Sequence, residues 1–156
     1  MAGSRGGNKI SFHSLYPSQW LKQRKLLKAF ISKSILSVGK EIGNLNIIFC
    51  SDDYLLDINN RYLNHDDYTD IITFNLHPES PFLFGEIYIS IPRIIENSRL
   101  FQSKRVDELH RVIFHGILHL SGYNDKTASQ KAEMIRMENK WLKRYRDYVS
   151  REIRST

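Results

Sequence analysis

Apolar and polar residues change their period several times along this chain, and each change marks a candidate element. Ile10 and Phe12 alternate with Ser11 and His13, the two-residue period of a short strand. Pro17 follows Tyr16 and suits the first turn of a helix. Trp20, Leu21, Leu27, Phe30, Ile31, Ile35 and Val38 then recur at three-to-four spacing and predict a helix over residues 18–38. After Gly43, the run Leu45-Asn46-Ile47-Ile48-Phe49-Cys50 reads as a strand, and Ser51, Asp52 and Asp53 supply N-cap chemistry for a helix to about Tyr62. Residues 70–76 and 84–90 read as two more strands, split by a Pro-containing connection at 77–83. Pro92 opens a short helix to about Phe101, and longer helices follow over 104–121 and 127–149. The expected fold class is α+β: a small four-stranded mixed sheet packed with about five helices.

Composition narrows this picture. At 156 residues with 41% hydrophobic content, the chain can bury a real core but is too short for two ordinary domains, so a single domain is expected. No internal repeat or low-complexity segment interrupts it. Its one cysteine, Cys50, excludes a disulfide framework and any four-cysteine metal site, and is expected in the core. Residues 1–8, MAGSRGGN, are small and polar with no apolar stretch behind them, and are expected to be disordered. No run approaches the eighteen apolar residues of a membrane span, so a cytoplasmic location is expected. The net charge of +6 favours polyanionic partners. Lys22, Arg24, Lys25, Lys28 and Lys33 lie mostly off the apolar positions of the first helix, as a solvated face or an RNA contact surface. A second basic group, Lys140, Lys143, Arg144, Arg146, Arg151 and Arg154, gathers late and has the same two readings.

The chemistry concentrates in the helix around residues 108–121. Leu109, Val112, Ile113, Gly116, Ile117 and Leu120 form one apolar face, and Phe114 and Leu118 carry it round the other side, so this helix is expected to be nearly all buried. His115 and His119 share the remaining strip with Glu108 and Val112, which points both imidazoles at one spot. Gly122 suits a left-handed residue ending the helix, and Asp125 arrives three residues later. The spacing His-x-x-x-His-x-x-Gly-x-x-Asp brings three ligands, His115, His119 and Asp125, to one transition-metal ion at the end of a central buried helix. Zinc is the first candidate, with a fourth position left for water. Two core histidines bonded to carbonyls are the alternative. Two imidazoles in an apolar helix are costly to desolvate when charged, whereas a metal takes both as neutral ligands. Metzincin-type peptidases share the spacing but place a Glu after the first His. Here that position is Gly116, so the base of that mechanism is missing and a zinc peptidase is the lesser reading.

The longer string His115-Gly116-Ile117-Leu118-His119-Leu120-Ser121-Gly122-Tyr123-Asn124-Asp125 resembles the HGxLHLxGYxH signature of the YbeY family, bacterial endoribonucleases in ribosomal RNA maturation. Thr69-Asp70-Ile71-Ile72-Thr73-Phe74 resembles the family's T-D-V-L-S-F strand, and Phe84-Gly85-Glu86-Ile87-Tyr88-Ile89 its G-[DE]-I-x-I strand. With His110 and the helix from Met134 to Glu138, the resemblance covers roughly residues 45–140. It implies a metal-dependent, single-strand-specific RNase of the bacterial cytoplasm, acting in 16S rRNA 3′-end maturation and ribosome quality control. The implied partners are small-subunit rRNA, small-subunit ribosomal components and an assembly GTPase, with no membrane. The sequence departs from the family at two places. The third ligand, usually His, is Asp125, which makes a harder, anionic site. The family's Arg after Tyr falls on Leu63, leaving Arg61 and Lys126 as the candidate RNA-binding cations. A ribosome-associated RNA-binding factor with a structural metal is the alternative these departures favour.

Three acidic residues need partners. Glu108 projects on the histidine side of its helix and is a candidate general base, set against a plain salt bridge. Glu138 falls in the apolar stripe Met134, Ile135, Trp141, Leu142, Tyr145 and Val149, where it either supports a ligating His or pairs with an Arg. Asp70 has the same two readings.

Overall fold

Four strands form one mixed sheet. β1 (Lys9–Ser14) runs parallel to β2 (Glu41–Cys50), β2 parallel to β4 (Phe82–Ser90), and β3 (Ile71–Asn75) antiparallel to β4, in the order β1-β2-β4-β3. The helices are α1 (Arg24–Ser37), α2 (Asp52–Leu63), α3 (Ile91–Leu100), α4 (Arg105–Leu120) and α5 (Ala128–Arg154). This computed structural model describes residues 9–17, 21–64 and 68–155; the expected disorder of 1–8 lies outside them. The two-residue period sorts the strands between two cores. Leu45, Ile47 and Phe49 of β2 and Ile87 and Ile89 of β4 enter the main core with α1, α4 and α5. Cys50 and Ile72 join Leu55 and Ile58 of α2 in a smaller core, flanked by Phe74 and Tyr88. Cys50 is fully buried, as expected. Among the described residues no helix is long and apolar enough to cross a membrane.

Local chemistry sets most boundaries. The Ser51 hydroxyl accepts from Tyr54 N at the start of α2, and Ser90 from Arg93 N at the start of α3. Thr127 and Gln130 form a reciprocal capping box on α5. Two glycines give the sheet and α4 room to pack against each other. A Cβ on Gly116 would lie 2.7 Å from Ile71 Cδ1, and one on Gly85 would lie 2.8 Å from Leu120 Cδ1.

Four expectations change. The first helix begins at Arg24 rather than residue 18, because Gln23 takes a left-handed backbone (φ 56°) that ends helical continuation upstream. Leu21 is still buried, anchoring a non-helical lead-in, while residues 18–20 with Trp20 lie outside the described set. Strand β2 starts at Glu41 because Gly43 is absorbed into it at a register shift, with Phe84 occupying the space of the missing side chain. Helix α5 continues past 149 to Arg154, with no breaker on the way and with Arg151 and Arg154 favourably placed in its last turn. Its buried stripe is Met134, Met137, Glu138, Trp141 and Tyr145; Ile135 turns out to solvent.

Candidate metal centre

The final turns of α4 set His115 and His119 side by side, ring planes 9° apart and centroids 6.3 Å apart. The helix then closes as Gly122 N donates to His119 O and Tyr123 N to Leu118 O, with Gly122 at φ 111°. This reversal brings Asp125 back over the helix, its Oδ2 3.5 Å from His115 Nε2. The other ring nitrogens are taken. His115 Nδ1 lies 2.6 Å from Glu138 Oε2, and His119 Nδ1 lies 2.9 Å from the Tyr123 carbonyl. A carboxylate and a carbonyl only accept, so both Nδ1 atoms carry the hydrogen and both Nε2 lone pairs are left for a Lewis acid. Among the described residues no three His, Cys, Asp or Glu side chains are already closed into a cage. The donor set itself, two imidazoles of matched tautomer and one carboxylate, fits a divalent ion.

Behind His115 lies a buried ionic chain. Glu138 Oε1 accepts from Arg111 Nη1 at 3.1 Å, and Arg111 grips Glu108 with two bonds, Nε to Oε1 at 2.9 Å and Nη2 to Oε2 at 2.6 Å. Glu138 therefore has both partners considered for it, the candidate ligand His115 and an arginine. Its hydrogen bond raises the His115 pKa, against burial, which lowers it. Glu108, 3% exposed, is salt-bridged through both oxygens to Arg111 and is not among the residues lining the cleft. The sequence reading missed Arg111. Its signal was its place three residues after Glu108 and four before His115, in a helix without a solvent face.

The two histidines open on a cleft of about 660 Å³ lined by Asn59, Leu63, residues 69–73, His115, His119, Asp125 and Lys126. Asp70 borders it; Asn97 Nδ2 donates to its Oδ2 at 3.3 Å, and burial pushes its carboxyl pKa up. Asp70 is thus held by an amide, Asn97, and by a backbone bond, Ser90 N to its carbonyl. Lys126 and Leu63 both face the cleft. Arg61 does not: it is exposed on α2 and pairs with Asp57 at 3.2 Å. Of the late basic residues, Arg144 and Arg151 join Lys33 in a separate groove of about 390 Å³. Arg24 and Lys28 lie over the Phe12 ring.

Comparison with known proteins is consistent along nearly the whole chain. The family model described as Endoribonuclease YbeY matches residues 13–146. The Endoribonuclease YbeY of Cytophaga hutchinsonii is 47% identical over 116 residues, covering 74% of this chain and 80% of that protein. That of Porphyromonas gingivalis strain W83 is 37% identical over 145 residues, covering 93% and 95%. The solution structure of TM1509 from Thermotoga maritima aligns with a TM-score of 0.57 at 29% identity, covering 93% of each chain.

Proposed function

The chain belongs to the YbeY endoribonuclease family, and from that premise we propose that it is a metal-dependent, single-strand-specific endoribonuclease of 16S rRNA 3′-end maturation and ribosome quality control. The observation that carries the metal assignment is the matched restraint of two neighbouring imidazoles: Glu138 and the Tyr123 carbonyl engage both Nδ1 atoms, which leaves both Nε2 atoms for a ligand, and both histidines line a cleft together with Asp125. His115, His119 and Asp125 hold one divalent ion, zinc by preference. Such an ion supplies Lewis acidity at a phosphodiester and a water nucleophilic near neutral pH. Glu138 keeps His115 in its ligating tautomer, and Arg111 holds Glu138 in place. Lys126 binds a phosphate at the mouth of the cleft, and Arg61, after releasing Asp57, supports the strand outside it. The substrate is small-subunit rRNA, with small-subunit ribosomal components and an assembly GTPase as partners, in the cytoplasm.

A second reading, a ribosome-associated RNA-binding factor with a structural metal, draws on Leu63, which lines the cleft with an apolar side chain where the family has Arg. A peptidase is disfavoured because position 116 packs against Ile71 and Ile87, leaving no room for a catalytic Glu. The deciding experiment measures metal content by elemental mass spectrometry, and cleavage of single- and double-stranded RNA, for wild type beside Asp125→Ala. One equivalent of metal lost together with single-strand cleavage supports the nuclease. Metal without cleavage supports the binding factor, and a metal-free wild type overturns the assignment.

A further inference from the structure

A second hollow of about 260 Å³ opens next to the cleft, lined by Ile58, Tyr62, Phe74, Leu76, Glu86 and Tyr88. The two cavities are lined by neighbouring residues of α2 and of the β3 segment. Asn59 and Leu63 line the cleft while Ile58 and Tyr62 line the hollow, and residues 71–73 give way to Phe74 and Leu76. The pairing Phe74↔Glu86 and Ile72↔Tyr88 puts Phe74, Glu86 and Tyr88 on one face of the sheet. Their rings brace one another: Tyr62 meets Phe74 at 6.0 Å and 82°, and Phe74 meets Tyr88 at 5.9 Å and 86°. Tyr62 is nevertheless 66% exposed and Leu76 52%. A rigid, exposed aromatic beside a strand-binding cleft is the stacking platform that single-stranded nucleic acid uses, and stacking needs no phosphate cation.

We propose that this hollow takes one extruded base of the RNA strand, a guanine, stacked on Tyr62 and read by the Glu86 carboxylate; the inference rests on the RNA-cleaving reading above. Glu86 already accepts from Tyr88 Oη at 3.3 Å, which orients it, and a carboxylate has acceptor capacity for two further bonds. Guanine presents adjacent N1–H and N2–H donors to such an acceptor pair. Adenine and cytosine offer one amino group next to a ring-nitrogen acceptor, and uracil one N–H between two carbonyls, so each sets an acceptor against the carboxylate. A purely apolar protein anchor would desolvate this carboxylate with only the Tyr88 hydroxyl as its partner, which disfavours a protein occupant. The negative charge also turns phosphates away, keeping the backbone on the Lys126 side and sending the base inward.

The test uses the metal-loaded full chain and single-stranded oligouridine 10-mers carrying one G, A or C, with binding read by fluorescence anisotropy and cleavage by gel. Wild type is expected to prefer the G-containing strand. Tyr62→Ala should weaken binding about tenfold or more, chiefly in KM, and Tyr62→Phe should restore it because the ring is what stacks. Glu86→Gln should keep stacking but erase the preference of G over A. Wild-type cleavage with Tyr62→Ala and Glu86→Gln indistinguishable from it would overturn the inference and leave the nuclease standing, with the face free for a protein. A metal-loaded wild type that neither binds nor cleaves any of these strands would overturn both.

Discussion

Replacing Glu138 by Gln keeps the volume and shape of the side chain and removes half of its function. The carboxylate accepts at both oxygens, from His115 Nδ1 at 2.6 Å and from Arg111 Nη1 at 3.1 Å. An amide has one acceptor, so whichever way it turns, an NH₂ group confronts either the imidazole N–H or the guanidinium. The lost bond is charge-assisted and buried, worth about 1.5–3 kcal/mol. If the amide oxygen stays with Arg111, that loss falls on His115 and should appear as zinc affinity reduced about 10- to 100-fold. A competition titration against a chelating dye reads it directly. Thermal unfolding of the metal-free variant, monitored by circular dichroism, separates weakened binding from weakened folding. A variant that folds like wild type and holds zinc within twofold of it would refute the idea that Glu138 acts through His115.

Other perturbations probe independent parts of the molecule. Burial pulls the His110 pKa down from 6.5 to about 4, so as pH falls the unfolded chain takes up this proton first. Stability should drop by about 3 kcal/mol between the unfolded and folded pKa values and level off below the latter. Urea unfolding at several pH values should find the difference between wild type and His110→Phe growing through that window, and a constant difference would count against it. Gly116→Ala should destabilise by about 1–3 kcal/mol despite better helix propensity, because the new methyl overlaps Ile71 and Ile87; unchanged stability would mean that the two isoleucines move freely. Asp125→His should keep one metal per chain and sharpen the preference for zinc over manganese, since imidazole is the softer donor. Competitive loading followed by elemental analysis would expose an unchanged ratio.

Much of the architecture was legible because strand and helix periods are local. His115, His119 and the turn at Gly122 needed only the 3.6-residue repeat and one left-handed residue. Glu138 was legible as an anomaly, an acid in an apolar stripe, but its partners sit 23 and 27 residues away and depend on how α4 and α5 pack. Half of Arg111's role was local, its three-residue spacing from Glu108; the other half stayed hidden because its second carboxylate, Glu138, arrives from another element. The start of α1 failed for an opposite, local cause. Leu21 fits the helical spacing and is buried, yet the left-handed Gln23 between it and Leu27 breaks the helix. Apolar periodicity records burial, not the backbone path that achieves it.

Charge at the cleft separates a catalytic from a structural metal. Among its described lining residues, the carboxylates of Asp70 and Asp125 face a single ammonium, Lys126, and Glu138 stands directly behind His115. Without a bound cation this surface is set against a phosphate backbone; a divalent ion at His115, His119 and Asp125 reverses the balance. Two unit charges about 6 Å apart interact by on the order of 3 kcal/mol at an effective dielectric near 20. Stripping the metal should therefore weaken binding of a short single-stranded oligonucleotide about tenfold or more, as well as stop its cleavage. The measurement is anisotropy at constant ionic strength before and after chelation, with circular dichroism to verify that the apoprotein remains folded. Folded apoprotein that binds the oligonucleotide as tightly as the loaded form would refute the electrostatic argument and favour the RNA-binding factor, in which the metal serves the fold alone.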